Sequence, residues 1–258
     1  MQSLQVSFPG SGGHQLSARL ERPADEPVAF ALFAHCFTCG KDSLAAVKVS
    51  RALAEQGIAT LRFDFTGLGG SGGDFGNTNF SSNVADLVAA ADYLRRVHQA
   101  PGLLIGHSLG GAAVLAAAGD VPESVAVATI GAPYDTAHVE GRLITAIPQI
   151  ESTGEAVARL GGRTFTVRKQ LLDDLREQRQ QEHIANLRRA LLVLHAPADA
   201  VVGVENATRI FGVAKHPKSF VSLDDADHLL TRAADADYAA TVIAAWASRY
   251  LPGPAPGL

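Results

Sequence analysis

Short apolar segments alternate with longer helical patterns along this chain of 258 residues. Several segments, such as residues 103–105 and 191–195, are apolar on both faces, as strands covered by helices on both sides are. The predicted strands are residues 4–8, 16–21, 29–34, 59–63, 103–105, 125–130, 191–195 and 219–223. The alternation predicts an α/β fold with a mostly parallel, eight-stranded sheet and helices on both faces. A Gly-rich break at 10–13 predicts an antiparallel hairpin at one edge.

One stretch is too long to fit this alternation of strands and helices. The residues between strands 125–130 and 191–195 far exceed the usual loop and single helix. We therefore predict a small lid insertion at 134–186, with a hairpin turning at Gly161-Gly162, and an α/β core formed by residues 1–133 and 187–251. An insertion lying away from the site is the alternative. The tail, residues 252–258, is rich in Pro and Gly and is composed like a linker.

Composition excludes several classes of protein. A net charge of −4 without a Lys/Arg run argues against nucleic acid as a partner. No apolar stretch reaches the roughly 18 residues that span a bilayer. The N-terminus lacks the features of a secretion signal, and two cysteines are too few for a disulfide framework. These features predict a cytoplasmic protein, whose oligomeric state is not readable from the sequence. The histidines are scattered and no Cys/His cluster occurs, so we expect no metal, and we expect no cofactor.

The motif Gly106-His107-Ser108-Leu109-Gly110 fits the pattern Gly-x-Ser-x-Gly. It follows a predicted strand and precedes a predicted helix, which is the context of a nucleophile elbow. Such a turn lifts a serine hydroxyl above the sheet and places it at a helix N-terminus, where negative charge is stabilised. Ser108 is therefore the predicted nucleophile. The alternative is an ordinary serine in a Gly-rich turn.

A serine needs a base, and histidine is suited to that role. His228 lies in a polar loop between the last strand and the last helix, on the sheet edge where Ser108 is expected. The acid that orients it is predicted to be Asp199, directly after strand 191–195, with Asp135 as the alternative. For the oxyanion, we expect the backbone N–H groups of Leu109 and Phe37, with Cys36 as the alternative to Phe37.

Two other motifs receive a structural interpretation. Cys36 and Cys39 have the spacing of a redox pair but not its sequence setting, so we expect two reduced loop cysteines. The Gly-rich residues 64–73 lack the Lys and the helix of a phosphate-binding loop, and are predicted to form a turn beside the site.

Three segments together, residues 35–42, 62–73 and 106–111, resemble one branch of the α/β-hydrolase superfamily. This branch includes the hydrolase module joined to an OsmC-like domain in some bacterial proteins, and the serine aminopeptidase and monoglyceride-lipase-like group. The resemblance covers nearly the whole chain. It implies Ser108, Asp199 and His228 as a catalytic triad, Phe37 and Leu109 as oxyanion donors, and a fused or partner OsmC-like domain. Many members have His-Gly where this chain has His35-Cys36.

The sequence thus predicts a serine hydrolase that cleaves carboxylic esters of small molecules through an acyl-enzyme. A peptidase or a thioesterase would use the same triad. A non-catalytic binding module with this fold is a further alternative, as is a module that serves a fused redox domain.

Overall fold

The computed structural model describes residues 1–252, and the predicted linker-like tail from residue 253 onward lies outside them. The strands are β1 (Gln2–Pro9), β2 (Gln15–Arg22), β3 (Ala29–Ala34), β4 (Ile58–Phe63), β5 (Leu103–His107), β6 (Ala126–Ile130), β7 (Glu155–Leu160), β8 (Arg163–Arg168), β9 (Ala190–His195) and β10 (Lys218–Ser222). The helices are α1 (Leu44–Glu55), α2 (Phe80–Val97), α3 (Leu109–Ala117), α4 (Ile147–Thr153), α5 (Lys169–Glu177), α6 (Gln180–Ala185), α7 (Glu205–Val213) and α8 (Ala233–Ala247).

Eight of the strands form one sheet in the order β1-β2-β4-β3-β5-β6-β9-β10. β1 pairs antiparallel with β2, and β2 antiparallel with β4, whereas every other neighbouring pair is parallel. The predicted mostly parallel sheet with an antiparallel hairpin at one edge is therefore confirmed. β3, β4, β5, β6 and β9 are buried along their whole length, which explains why their sequences are apolar on both faces.

Helices cover both faces of the sheet and divide the core in two. On one face, α1 and α8 pack together over β3, β5 and β9 with small side chains such as Ala46, Ala240 and Ala244. On the other face, α2 and α3 pack together, and α6 and α7 continue that layer. α2 begins at Phe80, where Asn79 and Ser82 form a capping box.

The long segment between β6 and β9 folds into a 3₁₀ turn at Thr136–Arg142, helices α4, α5 and α6, and an antiparallel hairpin of β7 and β8. Gly161 and Gly162 form the turn with φ of 56° and 80°, so the predicted hairpin is confirmed. Apolar side chains of this insertion, including Ile150, Leu172 and Leu175, are buried in the core. The insertion is thereby fixed to the sheet's helical layer.

Candidate active site

The turn from β5 to α3 holds Ser108 in an unusual backbone conformation. Its φ is 56° and its ψ is −126°, outside the regions that an L-residue normally occupies. The Ser108 N–H donates to the carbonyl of Ile130 at 2.8 Å, and the Ser108 carbonyl accepts from Gly111 N–H at 2.8 Å. These bonds fix a conformation that costs on the order of 1–3 kcal/mol, and such strain is concentrated at functional sites.

Two positions of the motif must be glycine, because a side chain there would collide with the backbone. A Cβ atom at Gly106 would lie 2.2 Å from the carbonyl oxygen of Gly110, and one at Gly110 would lie 2.4 Å from the carbonyl oxygen of Ala34. Both neighbours are backbone atoms that cannot move aside independently. The start of α3 therefore packs directly on β5 and on the end of β3, which aims the hydroxyl of Ser108 out of the sheet's carboxyl edge.

The structure brings Ser108, His228 and Asp199 together, although they lie far apart in sequence. Nδ1 of His228 is 2.7 Å from Oδ2 of Asp199, and Nε2 of His228 is 3.0 Å from Oγ of Ser108. Because a carboxylate can only accept, Nδ1 carries a hydrogen and donates a hydrogen bond to Asp199. Nε2 is then free to accept the hydroxyl proton of Ser108. Both the imidazole and the carboxylate are buried, with side chains 7% and 1% exposed.

Several donors hold the carboxylate of Asp199. Its Oδ1 atom accepts from the N–H groups of Val201 at 2.8 Å and Val202 at 2.9 Å. Burial raises the pKa of Asp199, but the hydrogen bonds from His228, Val202 and Val201 outweigh it, so the net pKa lies below the ordinary value. Asp199 is thus ionised at neutral pH and can stabilise a protonated imidazole. His195 supports the same loop, since its Nε2 lies 2.7 Å from the carbonyl of Val202.

The alternative acid, Asp135, occupies a different position. It is exposed, and its Oδ1 atom caps the 3₁₀ turn by accepting from Ala137 N–H at 2.9 Å. The loop of His228 is itself closed by short-range bonds. Asp227 accepts from Thr231 N–H at 2.9 Å, and Asp225 pairs with Arg232 at 2.9 Å.

The two residues predicted as oxyanion donors both line a cavity of about 290 Å³ in front of Ser108 and His228. Leu109 is the first residue of α3, so its N–H has no acceptor within the helix. Phe37 lies in the loop after β3, which turns back on itself where Cys39 N–H donates to the carbonyl of Cys36 at 3.1 Å. Thr38, with φ of 62°, makes this turn tight.

The prediction of two reduced cysteines is wrong for this structure, because Cys36 and Cys39 form a disulfide. Their Cα atoms are 5.3 Å apart, within the range that a disulfide spans. The same tight turn that presents Phe37 brings the two thiols together. A spacing of three residues fits either state, so the sequence offered no signal for the pairing.

A buried ionic network anchors the loop after β3. Asp64 accepts from the Lys41 backbone N–H at 2.6 Å, from Lys41 Nζ at 2.7 Å and from Gly70 N–H at 2.9 Å. Arg62, which is 2% exposed, donates to the carbonyl of Lys41 at 2.5 Å and to Glu21 at 2.8 Å. The Gly-rich residues 64–73 therefore pack against the loop that carries Phe37, at the place predicted for them.

Sequence reasoning missed three side chains at the site. His107 reaches the backbone of the His228 loop, with Nε2 2.7 Å from the carbonyl of His228. Arg142 and Arg163, both from the insertion, line the cavity with Ser108. Their positions depend on how the insertion folds over the sheet, and no local pattern in the sequence indicates that.

Within residues 1–252, no helix is long and apolar enough to cross a membrane. The same residues contain no cluster of three or more His, Cys, Asp or Glu side chains that could hold a metal ion.

The sheet order, the helices on both faces and the strand-turn-helix at Ser108 define the class of α/β-hydrolases. Residues 26–165, more than half of the chain, match the family model described as serine aminopeptidase, S33. The chain belongs to this family. It also matches the uncharacterized protein YfhR of Salmonella typhi, with 28% identity over 182 residues that make up 69% of this chain. That match spans 57% of YfhR, so the chain covers little more than half the length of this curated relative.

Solved structures extend the likeness over nearly the whole chain. The esterase domain of a Rhodothermus marinus protein is 50% identical, with a TM-score of 0.79 over 97% of this chain and 99% of that one. Est1E of Butyrivibrio proteoclasticus, with ferulic acid bound, is 20% identical with a TM-score of 0.80 over 95% of this chain and 98% of that one. XC6422 of Xanthomonas campestris, described as a serine hydrolase without a lid, is 19% identical with a TM-score of 0.69 over 99% of this chain and 98% of that one. The last two share the fold, which confirms the predicted α/β-hydrolase architecture.

Proposed function

We propose that this protein is a serine esterase that cleaves carboxylic esters through an acyl-enzyme. The observation that carries the proposal is the continuous hydrogen-bonded series from Ser108 Oγ through the imidazole of His228 to Asp199. The 50% identity to the Rhodothermus marinus esterase domain supports an ester over other acyl groups.

In the proposed mechanism, Ser108 Oγ attacks the ester carbonyl carbon while His228 Nε2 takes the hydroxyl proton. Asp199 stabilises the imidazolium that forms, and the N–H groups of Phe37 and Leu109 bind the oxyanion. His228 then gives its proton to the leaving alcohol, which departs and leaves an acyl group on Ser108. Water attacks that acyl group with His228 again as base, releasing the acid and restoring the serine.

We propose also that the insertion acts as a lid. Its 3₁₀ turn contributes His138, Val139 and Arg142 to the lining of the cavity, and its hairpin contributes Gly161 and Arg163. A cover of this kind excludes water from the oxyanion and shapes the substrate pocket.

The description of the matching family favours an aminopeptidase as the second candidate. An aminopeptidase must bind the ammonium group of its substrate, for which a carboxylate in the pocket is the usual partner. Within the described part of the chain, no Asp or Glu lines the cavity in front of Ser108. The lining therefore supports an ester as the substrate over a peptide with a free ammonium group. Relative turnover of an ester, a thioester and an aminoacyl amide separates the three reactions.

The test of the nucleophile is Ser108→Ala against Ser152→Ala, an exposed serine of α4 that serves as a matched control. With p-nitrophenyl hexanoate, Ser108→Ala should lose roughly 10³-fold or more in kcat/KM, and Ser152→Ala should keep its rate. A fluorophosphonate probe should label the wild type and Ser152→Ala, but not Ser108→Ala. Near-full turnover in Ser108→Ala would refute the proposed nucleophile, and a wild type that neither turns over nor takes the label would favour the non-catalytic module.

A further inference from the structure

The side chains that line the cavity in front of Ser108 carry positive charge without a balancing negative charge. Two arginines, Arg142 and Arg163, line it together with Ser108 and His228. Among residues 1–252, no carboxylate side chain contributes to this lining. The Asp199 carboxylate lies behind the imidazole and is already engaged by His228 and two backbone N–H groups. The cavity thus offers cationic donors to whatever enters it.

Arg163 is held in place by the loop that carries Phe37. Its Nη2 atom donates to the carbonyls of Thr38 and Cys39, the latter at 3.3 Å. Its guanidinium also lies over the ring of Phe165, 5.3 Å from the centroid. Both carbonyl contacts are made by Nη2, the atom that is shared by the two paired donor edges of the guanidinium. Nε and Nη1 donate to no protein atom in the part of the chain that the structure describes, so each is available to donate a separate hydrogen bond to a ligand.

Arg142 ends the 3₁₀ turn on the other limb of the insertion and is exposed. Within the described residues, neither Arg142 nor Arg163 forms an ion pair with a carboxylate. Other basic residues of the insertion are neutralised instead, since Arg168 pairs with Glu155 at 3.0 Å and Arg176 with Glu140 at 2.9 Å. Arg159 on β7 is also exposed and unpaired within residues 1–252, but it does not line the cavity.

We propose that the substrate is an ester that carries a carboxylate group, and that Arg142 and Arg163 bind this carboxylate while Ser108 attacks the ester carbonyl. The inference rests on the proposed esterase function and names its substrate class. The guanidinium of Arg142 presents parallel N–H groups that match the two oxygens of a carboxylate, and Arg163 can add a single N–H donor; such charge-assisted bonds are about twice as strong as neutral ones. The same two charges repel a substrate with a free ammonium group.

A matched pair of esters tests the proposal: the p-nitrophenyl monoester of adipic acid, and p-nitrophenyl hexanoate, which has the same chain without the charge. The wild type should favour the adipate monoester by roughly 10-fold or more in kcat/KM, as the gain of a charge-assisted hydrogen bond implies. Arg142→Gln and Arg163→Gln should each lower the adipate-to-hexanoate ratio by about 10-fold. The ratio is the readout because loss of Arg163 also releases the loop of Phe37, which affects both esters. Arg159→Gln should leave the ratio unchanged.

The outcomes separate the two proposals. Turnover of hexanoate without a preference for the adipate monoester, or a preference that survives in both arginine variants, overturns the anionic substrate and leaves the esterase intact. If both esters react slowly, protection of Ser108 from the fluorophosphonate probe decides. Monoethyl adipate should then protect better than diethyl adipate in the wild type and not in Arg142→Gln. Equal protection by the two overturns the inference, whereas failure of the probe to label Ser108 overturns the proposed function.

Discussion

His107 and His228 are joined by a hydrogen bond between the ring of the first and the backbone of the second, with Nε2 of His107 2.7 Å from the carbonyl oxygen of His228. His107 directly precedes Ser108 in the chain. The bond therefore ties the turn that carries the hydroxyl to the loop that carries the imidazole. Burial lowers the pKa of His107 to about 4, helped by the nearby His228, so the ring stays neutral at physiological pH and Nε2 donates.

The low pKa of His107 predicts a loss of stability in mild acid. An unfolded histidine binds a proton near pH 6.5, whereas folded His107 does so only near pH 4. The unfolded state therefore binds more protons between these values, and the free energy of unfolding falls as the pH is lowered from about 6.5 to about 4. A shift of this size is worth on the order of 3 kcal/mol.

The variant His107→Gln isolates this contribution, because glutamine keeps an N–H donor and does not titrate. Urea unfolding at several pH values should show a shallower decline between pH 6.5 and pH 4 for the variant than for the wild type. His35, whose pKa burial also lowers, is present in both proteins and cancels in the comparison. Parallel curves would show that His107 is not protonated on unfolding as described.

Asp199 and Asp135 were both candidates for the acid, and the chain thus offers its own control. Asp199→Asn should lower kcat by roughly 10³- to 10⁴-fold, because an amide in place of the carboxylate favours the wrong tautomer of His228 and cannot stabilise its charge. Asp135→Asn should remain within a few-fold of wild type. Steady-state kinetics with p-nitrophenyl hexanoate measure both. Comparable losses in the two variants would contradict the proposed role of Asp199.

The close contact between β5 and α3 predicts that Gly106 tolerates no side chain. Gly106→Ala would force a Cβ to 2.2 Å from the carbonyl oxygen of Gly110, and should destabilise the fold by about 3 kcal/mol or more. A Cβ atom at Gly119 would meet no other atom within 4 Å, and Gly119 does not have a positive φ. Gly119→Ala should change stability by less than about 1 kcal/mol. Thermal unfolding of both variants checks this, and an equally stable Gly106→Ala protein would be inconsistent with the packing described.

The fold was readable from the sequence because each strand carried its own signal. The strand that ends at Ile130 and the one that ends at His195 are short apolar runs flanked by turn residues, and both are buried in the sheet. Errors are confined to ends. β1 begins at Gln2, earlier than its apolar pattern starts, because antiparallel pairing continues as far as Gln2 opposite Arg22. That extension depends on a partner strand, which a local pattern does not contain.

In the candidate site too, features with a local sequence signal were predicted, and features that depend on distant segments were not. The motif around Ser108 is local, and the loops of Asp199 and His228 follow from strand order, so the sequence was sufficient to select residues that the structure brings together. Their catalytic role stays a prediction, as does the OsmC-like partner implied by resemblance. The Cys36–Cys39 disulfide, the Arg62 network and the two cavity arginines depend on distant segments meeting, for which neither periodicity nor spacing gives a signal.

The insertion leaves the sheet after β6 and returns at β9, and these two strands are paired directly, with Ala126 opposite Ala190. Because the two strands are parallel, the segment runs from the carboxyl end of β6 back to the amino end of β9, and the sheet itself fixes the separation of these two ends. Because both ends of this crossover are fixed by the sheet, replacing it with a crossover of another length costs little loop entropy, provided that the replacement covers the same apolar layer. The insertion can therefore change in length and sequence, and with it the lining of the pocket, while the residues at 108, 199 and 228 keep their geometry.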